Sequence, residues 1–199
     1  MGINQRWSGE GAIRAFVAVP LPEDARSCVE GVQRRLRGFA GVKWVEPENF
    51  HVTLRFLGNS PPELVQRLAQ TLLRTLSDQK AFSLTLAGVG AFPSARRPQA
   101  IWVGVSEGKS RLEELARITE ESAVASGFAP EERPFRAHLT IGRVKASPAP
   151  SGLSAAIMAE AEGAEIATIT VENVVLMQSK LRRSGPIYTP IECFPLARE

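Results

Sequence analysis

The stretch His51-Val52-Thr53-Leu54-Arg55-Phe56-Leu57 alternates, with Val52, Leu54 and Phe56 apolar on one face and His51, Thr53 and Arg55 on the other. A period of two predicts a half-buried β-strand. The chain has two histidines, and the second opens the same four-residue pattern: His138-Leu139-Thr140-Ile141 lies 87 residues after His51-Val52-Thr53-Leu54. Side chains two apart on a strand point the same way, so each strand offers an imidazole and a hydroxyl, about 6 to 7 Å apart, to one side of a sheet.

Working outward from the first motif, residues 12 to 19 read as a buried strand ended by Pro20 and Pro22, and residues 23 to 37 carry a helical period. Pro61-Pro62-Glu63 opens a helix to about Leu76, since proline suits the first helical turn, and residues 82 to 92 return as a strand. The first half therefore reads β-α-β-α-β. The second half repeats the order with strand 100 to 105, helix 109 to 125, strand 137 to 144, a weaker helix near 151 to 161 and strand 165 to 178, before a last strand over 187 to 194. The same 87-residue offset superposes all five elements, as expected of an internal duplication whose two histidine strands face each other across a pseudo-two-fold axis. The expected fold is α+β and bilobal: duplicated β-α-β-α-β units with antiparallel sheets around a central cleft. One domain over residues 1–199 is expected, with lobes at about 12–92 and 100–179.

Histidine titrates closest to neutrality, so a facing pair can supply a general base and a general acid together. A phosphodiester between the strands could accept a hydrogen bond from Thr53 and from Thr140, with one imidazole at the attacking oxygen and the other at the leaving oxygen. Two imidazoles without a third ligand make a poor hydrolytic metal site, so neither metal nor cofactor is expected. A GxSxG elbow and a Walker loop are both absent, and Gly88-Val89-Gly90 without a following helix makes no dinucleotide fingerprint. Strict alternation puts Arg143 on the face opposite His138 and Thr140. A bulge at Gly142 would turn it toward the cleft, and an exposed strand-end charge is the alternative. Trp44 and Tyr188, near polar loops, are candidates for base or loop contacts, whereas Phe50 and Trp102 are expected in the core.

The bulk properties are compatible with this chemistry. In 199 residues, 44% are hydrophobic, enough for a sizeable core, and 24 Lys and Arg against 21 Asp and Glu leave a net charge of +3. That excess permits a nucleic-acid partner without requiring one. Several basic residues fall in or beside loops: Arg96-Arg97, Arg133, Arg136, Arg143, Lys145, Lys180 and Arg182-Arg183. Cys28 and Cys193 are too few for a disulfide framework and suit a reducing cytoplasm. Met1-Gly2-Ile3-Asn4-Gln5-Arg6 has no signal-peptide core, and no apolar run is long enough to span a membrane. A cytoplasmic monomer with no membrane partner is expected.

The chain resembles the two-histidine (2H) phosphoesterases, and within them the bacterial and archaeal RNA 2′,3′-cyclic phosphodiesterases, also called 2′-5′ RNA ligases. The resemblance rests on Arg14-Ala15-Phe16-Val17-Ala18-Val19 with Pro22, on Val42-Lys43-Trp44-Val45, and on Pro47-Glu48-Asn49-Phe50 leading into His51 and on to Gly58. It continues through Phe135-Arg136-Ala137-His138 to Val144, and to Leu176, Ser179, Gly185 and Tyr188. It implies a LigT-like fold and metal-independent hydrolysis of RNA 2′,3′-cyclic phosphate ends to 2′-phosphates, with reversible 2′-5′ ligation. His51, Thr53, His138 and Thr140 match the family's catalytic positions, and Arg143 matches an arginine used near phosphate. Ala137 stands where many members carry proline, a difference that bears on loop rigidity rather than chemistry. On this reading His138 activates water, His51 protonates the departing 3′ oxygen, and Thr53, Thr140 and Arg143 stabilise the transition state. Matched motifs do not themselves distinguish acid from base. Two other readings are a 2H enzyme for small cyclic nucleotides or oligonucleotides, and a non-catalytic RNA-binding module.

Overall fold

A computed structural model describes residues 11–161, 163, 165–182 and 185–198. Met1 to Arg6 and Arg183 lie outside the described residues. Among the described residues, nine strands form one antiparallel sheet: β1 (Ile13–Pro20), β2 (Val42–Trp44), β3 (His51–Ser60), β4 (Phe82–Ser94), β5 (Arg97–Glu107), β6 (Leu139–Val144), β7 (Glu165–Val171), β8 (Asn173–Leu181) and β9 (Pro186–Pro195). Four helices, α1 (Glu23–Leu36), α2 (Pro62–Thr75), α3 (Lys109–Ala125) and α4 (Leu153–Ala161), cover one face. α1 shows why such segments coil. Ala25, Val29, Val32 and Leu36 recur at helical spacing and are buried, while Glu23 and Asp24 at its start and Arg34 and Arg35 at its end complement the helix dipole.

The strand order is β7-β4-β5-β6-β3-β1-β8-β9, with β2 pairing β6. Read outward from the β3/β6 centre, β1 matches β5 and β8 matches β4, as the duplication requires. The expected lobes at 12–92 and 100–179 do not coincide with the halves of the sheet, however. β4 pairs with β5 and β7, and β8 pairs with β1, so each repeat gives its last strand to the other half. The reason is local: Ser94 pairs with Arg97, and a hairpin this tight makes β4 and β5 neighbours.

The single strand expected over 165 to 178 is two strands separated by Glu172, whose carbonyl accepts from the Leu196 N–H at 2.8 Å. β7 is at one edge of the sheet and β8 is next to the other, yet one residue joins them, a reach of at most about 7 Å from Val171 to Asn173. The sheet therefore curls until its margins meet. Ala197 closes that seam, accepting from Ala81 N–H and donating to the Gln79 carbonyl, both at 2.8 Å.

The helix-covered face holds one continuous apolar core, which takes Ile13, Ala15, Val17 and Val19 of β1. Their alternates Phe16 and Ala18 are also buried but stand outside that core, on the open face. Phe50 is in the core, as expected. Among the described residues no helix is long and apolar enough to cross a membrane.

Candidate active site

His51 begins β3, and His138 immediately precedes β6 rather than lying within a strand starting at 137. The central pair Val52↔Leu139 joins the two motifs. In antiparallel register it sets His51 alongside Thr140 and His138 alongside Thr53. Each imidazole is held in the same way. Nδ1 of His51 is 2.7 Å from the Asn49 carbonyl, and Nδ1 of His138 is 2.6 Å from the Arg136 carbonyl. A carbonyl only accepts, so Nδ1 carries the proton and donates it, which leaves Nε2 of both rings free for chemistry.

Strict alternation fails at the last residue of each motif, and the failure makes the site. On β3, Ala18 pairs with Thr53 and Val17 with Arg55, so Leu54 is an extra residue; Phe16 then pairs with Phe56. On β6, Trp102 pairs with Thr140 and Ile101 with Gly142, so Ile141 is extra; Ala100 then pairs with Arg143. Directly opposed residues share a face. Each bulge therefore exchanges the faces of the residues beyond it. Arg143 joins Thr140 on the open face, which resolves its parity. Phe56 joins Thr53 on that face instead of Val52 and Leu54, and Arg55 turns away from it.

Two buried networks that local sequence did not reveal hold these turns. The carbonyl of the extra residue Ile141 accepts from Gln33 Nε2 at 2.9 Å and from the Val45 N–H at 3.0 Å, and the same Gln33 nitrogen donates to the Val45 carbonyl at 2.7 Å. Arg55, 8% exposed, donates to Glu131 at 3.0 Å and to the Ala129 carbonyl at 2.6 Å, with Glu120 at 2.7 Å from its Nε in an ionic contact out of line for a hydrogen bond. The segment so anchored leads into His138. Gln33 and Arg55 sit 108 and 76 residues from Ile141 and Glu131, respectively. No local pattern joins positions that far apart.

Aromatic rings wall the site. Phe16 is 4.8 Å from His51, Tyr188 meets His51 edge-on at 5.3 Å, and Phe92 meets His138 edge-on at 4.9 Å. Tyr188 is thus beside an imidazole, as its expected contact role requires; Asn49 ties the turn before His51 to β9 by donating to the Pro186 carbonyl at 3.2 Å. Trp44 is not brought to this face. It pairs with Gly142 and packs toward the core, where a Cβ on Gly142 would lie 2.9 Å from its ring; its neighbour Lys43, opposite Arg143, is on the site face instead. Trp102 was expected in the core, but it lies opposite Thr140 on the open face. Its ring occupies the space above Gly90, where a Cβ would approach to 2.2 Å. The missing Cβ is the signal that could have found it.

Burial pushes the His51 pKa down to about 4; its hydrogen bond to Asn49 opposes this, and the charges of His138 and Arg143 add to it. Burial also lowers His138, helped by Arg143 and opposed by the Arg136 carbonyl. Tyr188 is raised by burial against the pull of Arg143 and Arg14. Arg143 is therefore within electrostatic reach of both imidazoles and of Tyr188. Among the described residues, ion pairs such as Arg35–Glu160 and Arg117–Glu121 engage helices and their connections, and none takes up Arg14, Lys43, Arg136 or Arg143.

The profile described as LigT like Phosphoesterase matches the chain twice in succession, over residues 19–102 and 103–188. The chain belongs to this family. A Methanothermobacter thermautotrophicus protein named RNA 2′,3′-cyclic phosphodiesterase is 37% identical over 185 residues, covering 92% of this chain and 99% of that protein. An Archaeoglobus fulgidus protein of the same name is 36% identical, covering 92% and 99%. The crystal structure of TT0787 of Thermus thermophilus superposes with a TM-score of 0.77 at 30% identity, covering 92% of this chain and 98% of that one. That of Escherichia coli LigT complexed with 3′-AMP gives 0.73 at 27%, covering 93% and 98%. This LigT-like phosphoesterase is an enzyme of the 2H class, and its α+β fold is the one that the sequence predicts.

Proposed function

We propose that this enzyme hydrolyses RNA 2′,3′-cyclic phosphate ends to 2′-phosphate ends without a metal ion, and that 2′-5′ ligation is the same displacement with an RNA 5′-hydroxyl in place of water, run reversibly. The observation that carries the reading is two imidazoles with matched Nδ1 anchors and free Nε2 atoms, both within reach of the Arg143 charge. Thr53, Thr140 and Arg143 bind the phosphate oxygens and stabilise the negative charge that builds at phosphorus. Water bonds to phosphorus as one imidazole takes its proton; the P–O3′ bond breaks and O3′ receives a proton from the other imidazole. His138 takes the proton from water and His51 gives one to O3′; burial lowers both imidazoles, His51 to about 4. Anionic substrate raises both.

The unpaired cations Arg14, Lys43, Arg136 and Arg143 on one face favour a polynucleotide end over a lone cyclic mononucleotide. The names of the relatives support the same substrate. Purified protein given cyclic-phosphate-ended RNA and cyclic mononucleotides in excess chelator should produce 2′-phosphates, faster from RNA. A 3′-phosphate product, or loss of turnover on chelation, contradicts the proposal. We read the enzyme as a cytoplasmic monomer, in keeping with two unpaired cysteines, Cys28 and Cys193; light scattering of the purified chain tests the oligomeric state.

A further inference from the structure

His51 and His138 are held alike, each by the carbonyl of the residue two places earlier, and the 87-residue offset of the motifs also relates those two residues, Asn49 and Arg136. Their side chains differ in use. Asn49 turns its amide into the protein, onto the Pro186 carbonyl at 3.2 Å. Arg136 is exposed and forms no ion pair among the described residues, whereas Arg133, on the same segment between α3 and β6, is held by Glu131 at 3.2 Å. The Arg136 guanidinium lies over the ring of Phe92, 5.8 Å from its centroid, and that ring meets His138 edge-on at 4.9 Å. Phe92 pairs with Ala100 and Ala100 with Arg143, so the ring is on the open face, where Trp102 packs against it at 5.3 Å. One aromatic ring therefore separates an unpaired guanidinium from the imidazole that takes the nucleophile's proton.

We infer that Arg136 binds the RNA strand that brings the attacking 5′-hydroxyl in ligation, by holding the phosphate on the 3′ side of that strand's first nucleoside; this rests on the phosphodiesterase reading above. The attacking and leaving oxygens of a displacement at phosphorus lie in line. With His51 protonating O3′, the nucleophile enters on the His138 side. Water needs nothing there beyond the imidazole. A 5′-hydroxyl arrives with a nucleoside and, beyond it, a phosphate, and a nucleoside at His138 crosses Phe92 to reach Arg136. The ring attracts the guanidinium and limits where it points, and the planar fork matches two phosphate oxygens. The step needs no further reactant. The 5′ oxygen bonds to phosphorus as its proton passes to His138, the P–O3′ bond breaks, and O3′ takes a proton from His51, which leaves a 2′-5′ linkage. Run backwards, the same contact holds the nucleotide that departs.

The test uses two substrates, adenylyl-(2′-5′)-adenosine and the same dinucleotide with a 3′-phosphate on its 5′-linked adenosine, and reads their cleavage to a 2′,3′-cyclic phosphate. Wild type should favour the phosphate-bearing substrate. Arg136→Ala should lower that preference in kcat/KM about ten-fold, with Arg136→Lys between the two. A preference unchanged in Arg136→Ala, or absent from wild type, overturns the inference. Calorimetry reads the same contact without turnover, with analogues of both dinucleotides whose 2′-linked adenosine lacks the 3′-hydroxyl that expels the 5′ oxygen. The added phosphate should tighten binding to wild type and not to Arg136→Ala, and equal tightening in both proteins overturns the inference. A wild-type protein that hydrolyses no cyclic-phosphate-ended RNA counts against the phosphodiesterase reading, while the calorimetric comparison still decides the role of Arg136.

Discussion

β3 and the stretch from His138 into β6 begin alike, with histidine, an apolar residue, threonine and one extra residue, and then differ: Arg55-Phe56 follows on β3 and Gly142-Arg143 on β6. Up to the bulge the two strands are interchangeable parts of a duplicated fold. Beyond it, the residue turned inward is a buried guanidinium on one strand and a glycine under Trp44 on the other, while the residue turned outward is a phenylalanine or an arginine. Duplication supplies paired imidazoles and hydroxyls, and divergence at two positions per strand gives the site a direction. The support diverges as well: Gln33 holds the β6 bulge, and Arg55 holds the approach to His138.

The largest effect should come from breaking the matched part. His51→Ala and His138→Ala should each lower kcat at least ~100-fold, and the double variant should be little worse than either, because the imidazoles act as a unit. Multiplying losses in steady-state assays would break the equivalence of the strands.

Removing the unmatched charge comes next. Arg143→Ala should cost on the order of 100-fold in kcat/KM, with only partial recovery in Arg143→Lys, since a point charge lacks the planar fork. A lysine variant at full activity would show that the β6 side supplies charge alone.

The deeper burial of His51 is open to a stability measurement. Its pKa of about 4 is below the ordinary 6.5. The stability contributed by the neutral imidazole is therefore complete above pH 6.5 and is lost as pH falls toward 4. Between pH 7 and 4.5 wild type should lose roughly 2 kcal/mol more than His51→Gln in urea unfolding. Parallel losses in the two proteins would mean that burial does not hold the His51 pKa down.

The smallest effect sharpens the comparison most. Gln33→Leu leaves the Ile141 carbonyl with only the Val45 N–H and should cost about 1 to 2 kcal/mol of stability. It should also lower activity in wild type much more than in the Arg143→Ala background, a coupling that a double-mutant cycle reads directly. Independent effects would mean that the bulge does not depend on Gln33 to aim Arg143.

Much of this molecule was legible in the order of its residues. The period of two around His51 and His138, the proline-opened helices and the 87-residue offset come from local pattern and spacing, and they sufficed to place His51, Thr53, His138 and Thr140 at one site. Local pattern failed where pairing partners intervened. Alternation put Phe56 in the core and Arg55 at the site, and the opposing strands reversed both by taking one residue too few. Trp102 read as core because its apolar neighbours are core, and only the glycine across the strand pair shows where its ring lies.

The sequence by itself determined the two imidazole-hydroxyl pairs and their repetition, because a strand's period and a motif's spacing are properties of the chain. Only the tertiary structure decided which side Arg143 faces, which repeat each last strand joins and which histidine is more deeply buried. Register, strand order and burial depend on segments far apart in the chain, and the free energy that selects them exists only once the sheet has curled and its margins have met.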